Sequence, residues 1–193
     1  MASEFSIAFS HVGIFVNDIE RMIDFYTRFM CFVLTDRGVS QNGGAQIAFL
    51  SRDPREHHQV VLVKGRPDDL KFNVINQMSF RVDSLRTLKD LHARLADEGL
   101  IELGPVSHGN ALSVYFRDPE GNRIELLVDT PWYIPQPYRI PIDLSMPDDE
   151  LWAWAEAHAR SIPGFMTRAE WRAGLEKKIA QTSPAREHAA ASP

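Results

Sequence analysis

Residues 107–128 read SHGNALSVYFRDPEGNRIELLV, and this stretch decides the fold. Two runs of β-type residues, 112–116 and 123–128, flank the segment DPEGN at 118–122. Proline presets φ for a turn, and glycine or asparagine accepts a positive φ. The stretch therefore predicts a β-hairpin.

The second strand of this hairpin presents two different faces, because side chains alternate along a strand. Ile124, Leu126 and Val128 form a wholly apolar face that should pack on a helix. Glu125 lies between them and points to the opposite face. A carboxylate in the middle of a strand needs a metal ion, an arginine partner or plain solvent.

The composition is that of an ordinary globular protein, with 44% hydrophobic and 24% charged residues in 193. This length predicts one or two domains. A formal net charge of −5 provides no basic surface for nucleic acid. The N-terminus MASEFSIAFS lacks the pattern of a signal peptide, and no run approaches the ~20 apolar residues of a membrane span. A single cysteine, Cys31, excludes an internal disulfide framework and favours a cytoplasmic location.

A strand followed by a helix occurs twice along the chain. Residues 11–16 (HVGIFV) and, 66 positions later, residues 77–82 (QMSFRV) have the alternation of strands. Polar residues at 17–18 and 83–84 are candidate caps for helices that run to about residues 30 and 98. His11 and Gln77 occupy equivalent places at the start of the two units.

Three further strand signals follow each helix, so each half has the order β-α-β-β-β. They lie at 32–35, 46–50 and 58–63 in the first half, and at 102–106, 112–116 and 123–128 in the second. Two such units predict one α+β domain over residues 6–130, with modules at 6–66 and 73–130.

Three stretches resemble the vicinal-oxygen-chelate superfamily, which includes glyoxalase I, type I extradiol dioxygenases, fosfomycin-resistance enzymes and bleomycin-binding proteins. They are HVGIFVNDIERMIDFYTRFMCF, INQMSFRV and YFRDPEGNRIELL, within residues 6–130. The resemblance implies paired βαβββ modules in a half-open barrel sheet around a metal ion. By position in that fold, the metal ligands fall on His11, Gln77 and Glu125, with the strand at His57-His58 as a fourth possible source.

The extradiol ring-cleaving dioxygenases are the most similar group within this superfamily. The sequence EHHQ at 56–59 is similar to the strand that holds their acid/base histidine, which assigns that role to His58. His108 lies in the loop before the hairpin, as a second active-site histidine does in those enzymes. Tyr115 precedes Glu125 by ten residues and matches their active-site tyrosine. The implied catalytic set is His58, His108 and Tyr115, which a glyoxalase I does not need.

The resemblance implies cleavage of a catechol-like aromatic ring by O₂ with Fe(II) as cofactor. Two histidines and one carboxylate leave positions open on Fe(II) for the substrate and O₂. Histidine titrates near neutral pH, so it can take and return a catechol proton. A tyrosine hydroxyl can orient the substrate.

Gln77 departs from the dioxygenase pattern, because those enzymes have a histidine there. The amide oxygen of glutamine is a weaker donor for Fe(II) than imidazole. Three outcomes stay open: Gln77 binds the metal weakly, His58 joins the ligands, or the site is metal-free. The alternative functions are a glyoxalase-type isomerase or lyase using Mn, Zn or Ni, and a non-catalytic small-molecule binder.

Each candidate also has a purely structural interpretation. His11 and Gln77 could be ordinary polar residues of a sheet. His108 could be a simple loop residue and Tyr115 a packing aromatic. Since neighbouring strand residues point to opposite faces, His57 is the member of its pair expected to face solvent.

The chain changes character at residue 131. Residues 130–141 (TPWYIPQPYRIP) hold four prolines and three aromatic residues, which favours an extended arm outside the sheet. Helices are predicted to about residue 160 and over 168–180, the second with a capping box of Thr167 and Glu170. The arm and helices form a unit at 131–182, and the polar tail at 183–193 is predicted to be disordered. The apolar arm should cover the domain or a partner subunit, which favours a homodimer or another homo-oligomer.

Overall fold

The protein is represented by a computed structural model that describes residues 7–41, 43–70 and 72–181. The strands are β1 (Val12–Val16), β2 (Val33–Val39), β3 (Gln46–Ser51), β4 (Val60–Lys64), β5 (Met78–Arg81), β6 (Ile101–Ser107), β7 (Ala111–Arg117), β8 (Arg123–Asp129), β9 (Trp132–Tyr133), β10 (Ile140–Pro141) and β11 (Met166–Thr167). The helices are α1 (Ile19–Asp24), which continues as a π-helical turn at Phe25–Phe29, α2 (Leu85–Asp97), α3 (Asp148–Arg160) and α4 (Arg168–Gln181). None of the helices in the described part of the chain has the length and apolarity to cross a membrane.

The predicted α+β class and its two β-α-β-β-β modules are confirmed. The first module forms an open sheet with the strand order β1-β4-β3-β2. The second forms an open sheet with the order β10-β6-β7-β8-β5. In each module the first strand runs parallel to the last and lies at an edge of the sheet. The two sheets are separate, so β1 and β5 are equivalent edge strands.

The hairpin of β7 and β8 has the register that alternation predicted. Tyr115 lies directly opposite Glu125. The buried side chain of Asp118 accepts the backbone N–H groups of Glu120 at 3.0 Å and Asn122 at 2.9 Å, which organises the turn. Gly121 takes a φ of 80° there, a conformation that favours glycine.

Both module helices begin at predicted caps. The Asp18 side chain accepts the N–H of Arg21 at 3.0 Å, and Ser84 accepts the N–H of Thr87 at 3.1 Å. The first turn of α1 also meets the second module. Glu120, in the hairpin turn, accepts the N–H of Asn17 at 2.7 and 2.9 Å and that of Asp18 at 2.7 Å.

The first helix is not the plain α-helix to about residue 30 that the sequence predicted. It widens into a π-helical turn, on which Phe25, Tyr26 and Phe29 are all buried. The wider turn lets three neighbouring aromatic side chains enter the core together. Periodicity cannot signal this, because the cause is the tertiary packing of those rings.

A single hydrophobic core joins the two modules. Phe29 of the first module packs against Phe116 on β7, with ring centroids 6.3 Å apart. The Arg94 guanidinium on α2 lies 5.0 Å from the centre of the Phe29 ring. Each sheet therefore turns its apolar face toward the same helical layer, and its other face points away from that layer.

The arm after β8 is closer to the sheets than predicted. Instead of a wholly extended path outside the sheet, β10 pairs with β6 at an edge, and β9 pairs with β11. Pro141 is tolerated in β10 because an edge strand needs no N–H on its outer side. Trp132 is buried against Trp152, with ring centroids 6.1 Å apart, so the predicted cover is intramolecular.

The predicted capping box at the start of α4 is confirmed. Glu170 accepts the N–H of Thr167 at 2.7 Å, and its own N–H donates to the Thr167 hydroxyl at 3.2 Å. The tail predicted to be disordered lies outside the described residues.

Candidate active site

Glu125 is the centre of a polar cluster on the second sheet. Its strand neighbours are Tyr115 on β7 and Ser79 on β5, and its side chain is buried, with 5% of the residue exposed. Oε2 accepts hydrogen bonds from Gln77 Nε2 at 2.9 Å and Ser79 Oγ at 2.5 Å, and Oε1 accepts one from the Tyr115 hydroxyl at 2.6 Å. These donors are neutral. Within the described residues, His108 at 3.9 Å is the one basic side chain that comes within 4 Å of this carboxylate.

Tyr115 bridges Glu125 and His108. Its hydroxyl lies 2.9 Å from His108 Nε2, while His108 Nδ1 lies 2.8 Å from the carbonyl oxygen of Tyr138 in the arm. Burial, followed by the hydrogen bond and charge of Glu125, raises the pKa of Tyr115 well above its ordinary value. The phenol therefore stays protonated and has one proton to donate.

The donor chemistry of this cluster fits a divalent cation. The Tyr138 carbonyl only accepts, so His108 Nδ1 must carry a proton. With a neutral ring, His108 Nε2 then competes with Glu125 for the proton of Tyr115. When the Tyr115 hydroxyl donates its hydrogen bond to His108 instead, Oε1 of Glu125 loses this donor and is free to bind a cation. Rotation of the Gln77 amide would exchange its nitrogen for an oxygen ligand.

A second polar cluster lies on the first sheet. His11, immediately before β1, has its ring centroid 4.2 Å from that of His58. His58 Nδ1 lies 2.8 Å from His57 Nδ1, and His57 Nε2 lies 2.9 Å from Asp36 Oδ2 on β2. Burial lowers the pKa of His58, and the nearby rings of His11 and His57 add to this effect. As predicted, His57 is the more exposed member of its pair.

The sequence-predicted residues thus fall into two groups. Gln77, His108 and Tyr115 surround Glu125, whereas His11 contacts His58. No contact recorded between described residues links His11 to Glu125, and no three His, Cys, Asp or Glu side chains in the described ranges form a metal-binding group. Each cluster lies on a different sheet, on the face turned away from the shared core.

Sequence reasoning missed three participants. Ser79 lies two residues after Gln77 on the same strand, so alternation could have predicted its shared face. Asp36 reaches His57 through the strand order of the first sheet, which the sequence alone does not provide. Tyr138 contributes a backbone carbonyl, a group that carries no residue signature.

The chain belongs to the Glyoxalase/Bleomycin resistance protein/Dioxygenase superfamily, whose family model matches residues 8–126. This confirms the resemblance noted in the sequence.

Two dioxygenases are similar in sequence over part of their length. Biphenyl-2,3-diol 1,2-dioxygenase 2 of Rhodococcus globerulus is 32% identical over 126 residues, which cover 63% of this chain and 62% of the relative. Biphenyl-2,3-diol 1,2-dioxygenase 3 of the same organism is 36% identical over 88 residues, which cover 43% and 46% respectively. The matched region therefore spans less than two thirds of each relative.

Solved structures share the fold. A glyoxylase/bleomycin resistance protein/dioxygenase domain from Frankia sp. EAN1pec superposes with a TM-score of 0.56 at 23% identity, covering 65% of this chain and 100% of that domain. The fosfomycin resistance protein FosX from Listeria monocytogenes, in complex with Mn(II) and sulfate, superposes with a TM-score of 0.51 at 18% identity, covering 65% and 95%. At these identities the similarity shows the fold alone.

Proposed function

We propose that this protein is a metal-dependent extradiol-type dioxygenase that cleaves a catechol-like aromatic ring with O₂. The observation that carries the proposal is the buried Glu125 carboxylate, which Tyr115 links to His108 and whose hydrogen-bond donors among the described residues are all neutral. Similarity to two biphenyl-2,3-diol 1,2-dioxygenases supports the same class of reaction.

The proposed cofactor is Fe(II), held by His11, Gln77 and Glu125, with Mn, Zn or Ni as alternatives. When bound, it supplies a centre at which two adjacent ring oxygens and O₂ are brought together. Both atoms of O₂ enter the product of an extradiol cleavage, so the reaction needs no external reductant.

Three side chains act on the substrate. His58 takes the proton that a catechol hydroxyl loses on binding and returns it after ring opening. His108 and Tyr115 position the substrate and O₂ by hydrogen bonds. The arm carbonyl of Tyr138 orients the His108 ring, so that Nε2 lies beside the Tyr115 hydroxyl.

A second copy of the chain completes the site in this proposal. The His11 and Glu125 clusters lie on two separate sheets, and among the described residues no further strand pairs beyond β1 on the first sheet or β5 on the second. Phe15 on β1 is 64% exposed, which is unusual for phenylalanine on a strand. Docking β1 of one copy beside β5 of the other brings the two clusters together twice in a symmetric homodimer.

The decisive experiment measures metal content after purification without added metal, together with oxygen consumption on a small panel of catechols. Iron, oxygen uptake and a yellow ring-fission product are expected. A metal-free protein that takes up no oxygen after anaerobic loading with Fe(II) would contradict the proposal.

Gln77 favours a second candidate, because a carbonyl oxygen suits Mn(II), whereas iron is better held by imidazole. That candidate is a glyoxalase-type isomerase or lyase. In the same experiment, the purified protein would then contain Mn, Zn or Ni and would take up no oxygen. Replacing Gln77 by His separates the two, since iron occupancy and turnover should both rise if this position is a ligand in a dioxygenase.

A further inference from the structure

A chain of hydrogen bonds runs from the surface to His58. Asp36 Oδ2 lies 2.9 Å from His57 Nε2, and His57 Nδ1 lies 2.8 Å from His58 Nδ1. The Phe49 ring on β3 supports both imidazoles, with centroid distances of 5.7 Å to His57 and 5.1 Å to His58. Neighbouring parts of the first sheet supply these groups. The carboxylate comes from β2, the phenylalanine ring that contacts both imidazoles comes from β3, and the two histidines come from the segment before β4.

A local irregularity places the carboxylate. The pairing of β2 with β3 shifts register between Leu34 and Asp36, so that Asp36 lies directly opposite Phe49. Residues directly opposite each other share a face of the sheet. The bulge therefore puts Asp36 on the face that carries Phe49 and the histidines, within reach of His57.

The direction of these hydrogen bonds follows from donor counting. A carboxylate only accepts, so His57 Nε2 carries a proton. A neutral His57 then has a lone pair on Nδ1, and His58 Nδ1 must be the donor between the two rings. His58 consequently has its proton on Nδ1 and a free lone pair on Nε2.

We propose that Asp36 and His57 are positioning residues that hold His58 in the Nδ1–H tautomer, so that Nε2 is the nitrogen that accepts the substrate proton. The inference rests on the acid/base role proposed above for His58, but the tautomer itself does not. Histidine in water prefers the opposite tautomer, with the proton on Nε2. That preference is small, so one well-formed hydrogen bond is enough to reverse it.

This assignment holds for neutral rings. A protonated His57 would donate from both nitrogens, and His58 Nδ1 would then become the acceptor. The measurement therefore belongs at about pH 8.5, well above the ordinary histidine pKa of about 6.5.

The test is two-bond ¹H–¹⁵N correlation NMR of the metal-free, full-length protein labelled with ¹⁵N-histidine. The chain has seven histidines, and the His58 signals are assigned by their loss in a His58→Gln variant. The native protein should show a protonated Nδ1 and an unprotonated Nε2 at His58. Finding the proton on Nε2 instead would overturn the proposal.

Three variants separate the hydrogen bond from other effects. His57→Phe should move the His58 proton to Nε2, because the acceptor of Nδ1 is removed. In Asp36→Ala either histidine can be the donor between the two rings, so this variant should show a mixture of the two His58 tautomers. Asp36→Asn keeps an oxygen acceptor without the charge and should retain the native tautomer. If Asp36→Ala leaves the tautomer of His58 unchanged, Asp36 has no positioning role.

Turnover distinguishes a failure of this inference from a failure of the proposed function. In the metal-loaded enzyme, His57→Phe should lower kcat about tenfold or more and Asp36→Ala should lower it less, with KM for the catechol nearly unchanged in both. A changed tautomer with unchanged kcat would support the positioning chain and refute the acid/base role of His58. An unchanged tautomer in both variants would refute the positioning chain whatever the turnover.

Discussion

Glu125 has a different environment from a typical buried carboxylate. Burial removes its hydration, and three neutral donors replace only part of the lost interaction energy. His108, at 3.9 Å, is too far for a direct hydrogen bond. The residue is therefore expected to lower the stability of the metal-free protein and to gain most from a bound cation.

Glu125→Gln tests this expectation, since it keeps the size of the side chain and removes its charge. Ser79 and Gln77 can rotate to accept from the new amide, so the metal-free variant should be as stable as the native protein or more stable, by up to about 1 kcal/mol. The stabilisation that divalent metal gives the native protein should be lost. Thermal unfolding with chelator and with added Mn(II) measures both effects. A variant markedly less stable than the native protein in chelator would show that the charge is well compensated.

Unlike Glu125, the carboxylate of Glu102 on β6 is bound by two charged side chains, which come from two other strands. Arg117 on β7 and Arg123 on β8 lie directly opposite each other, which is unfavourable for like charges. Glu102 resolves this by binding both: its Oε1 lies 2.6 Å from Arg117 Nη2 and 2.8 Å from Arg123 Nη2. One carboxylate therefore holds three adjacent strands in register.

The same substitution at this position, Glu102→Gln, should destabilise the protein by about 1–2 kcal/mol at pH 7, because two charged hydrogen bonds are weakened. The hydrogen bond from Arg123 is the main cause of a lowered pKa of Glu102, with the charges of both arginines adding to it. A lowered carboxyl pKa contributes stability that is complete above the unfolded value of about 4.3 and is lost as pH falls through the folded value.

The difference in unfolding free energy between the native protein and Glu102→Gln should therefore shrink below about pH 4. Urea titrations at several pH values measure it. Glu156→Gln is the control, since its partner Arg160 forms an exposed i,i+4 pair, and this change should have little effect. An equal difference at every pH would rule out this role for the ionised Glu102.

The arm is packed tightly against the loop that carries His108. Gly109 has a φ of 72°, and a Cβ there would lie 2.2 Å from Cδ1 of Ile134 in the arm. Ile134 is completely buried, so it has little room to move. The loop and the arm therefore form one unit, and the orientation of His108 depends on both.

Gly109→Ala should cost about 2–4 kcal/mol, because backbone strain at positive φ adds to overpacking against Ile134. Gly121→Ala is a matched control: its φ is 80° and a Cβ there would meet open space, so it should cost only about 1 kcal/mol. Denaturant unfolding compares the two. Equal costs would mean that the arm shifts easily to make room for the added Cβ. The turnover of Gly109→Ala should then equal that of the native protein.

The proposed chemistry needs the His11 and Glu125 clusters in one site, but a single chain holds them on two separate sheets. The His11 cluster lies on the first sheet and the Glu125 cluster on the second, on faces turned away from the shared core. Edge strands β1 and β5 are the natural places for a second copy to join them.

Mixing two inactive variants tests this arrangement. His11→Ala and Glu125→Ala should each abolish turnover. Unfolded and refolded together in equal amounts, they should recover roughly a quarter of the native activity, because half of the dimers are mixed and each mixed dimer has one intact site. Light scattering checks the mass of a dimer. No recovery from correctly assembled mixed dimers would mean that the site is built within one chain.

Local chemistry accounts for what the sequence could predict. Alternation and turn residues were enough for the hairpin and for the placement of Glu125 on the face opposite the apolar packing layer. Repetition of the first strand was enough to place His11 and Gln77 at equivalent positions, immediately before β1 and β5. The π-helical turn at Phe25–Phe29 and the contact of Asp36 with His57 could not be predicted, because both depend on packing between distant segments. The relative placement of the two sheets could not be predicted either, for the same reason.

The hydrogen bonds of Glu120 help to hold the two halves of the domain together. This residue belongs to the second half of the domain, yet it satisfies the exposed amides at the beginning of the helix in the first half. Together with the shared aromatic core, this means that the peptide connecting β4 to β5 is not what keeps the halves assembled. A protease that cut this connection would leave two fragments associated as one particle, and the halves made as separate polypeptides should find each other.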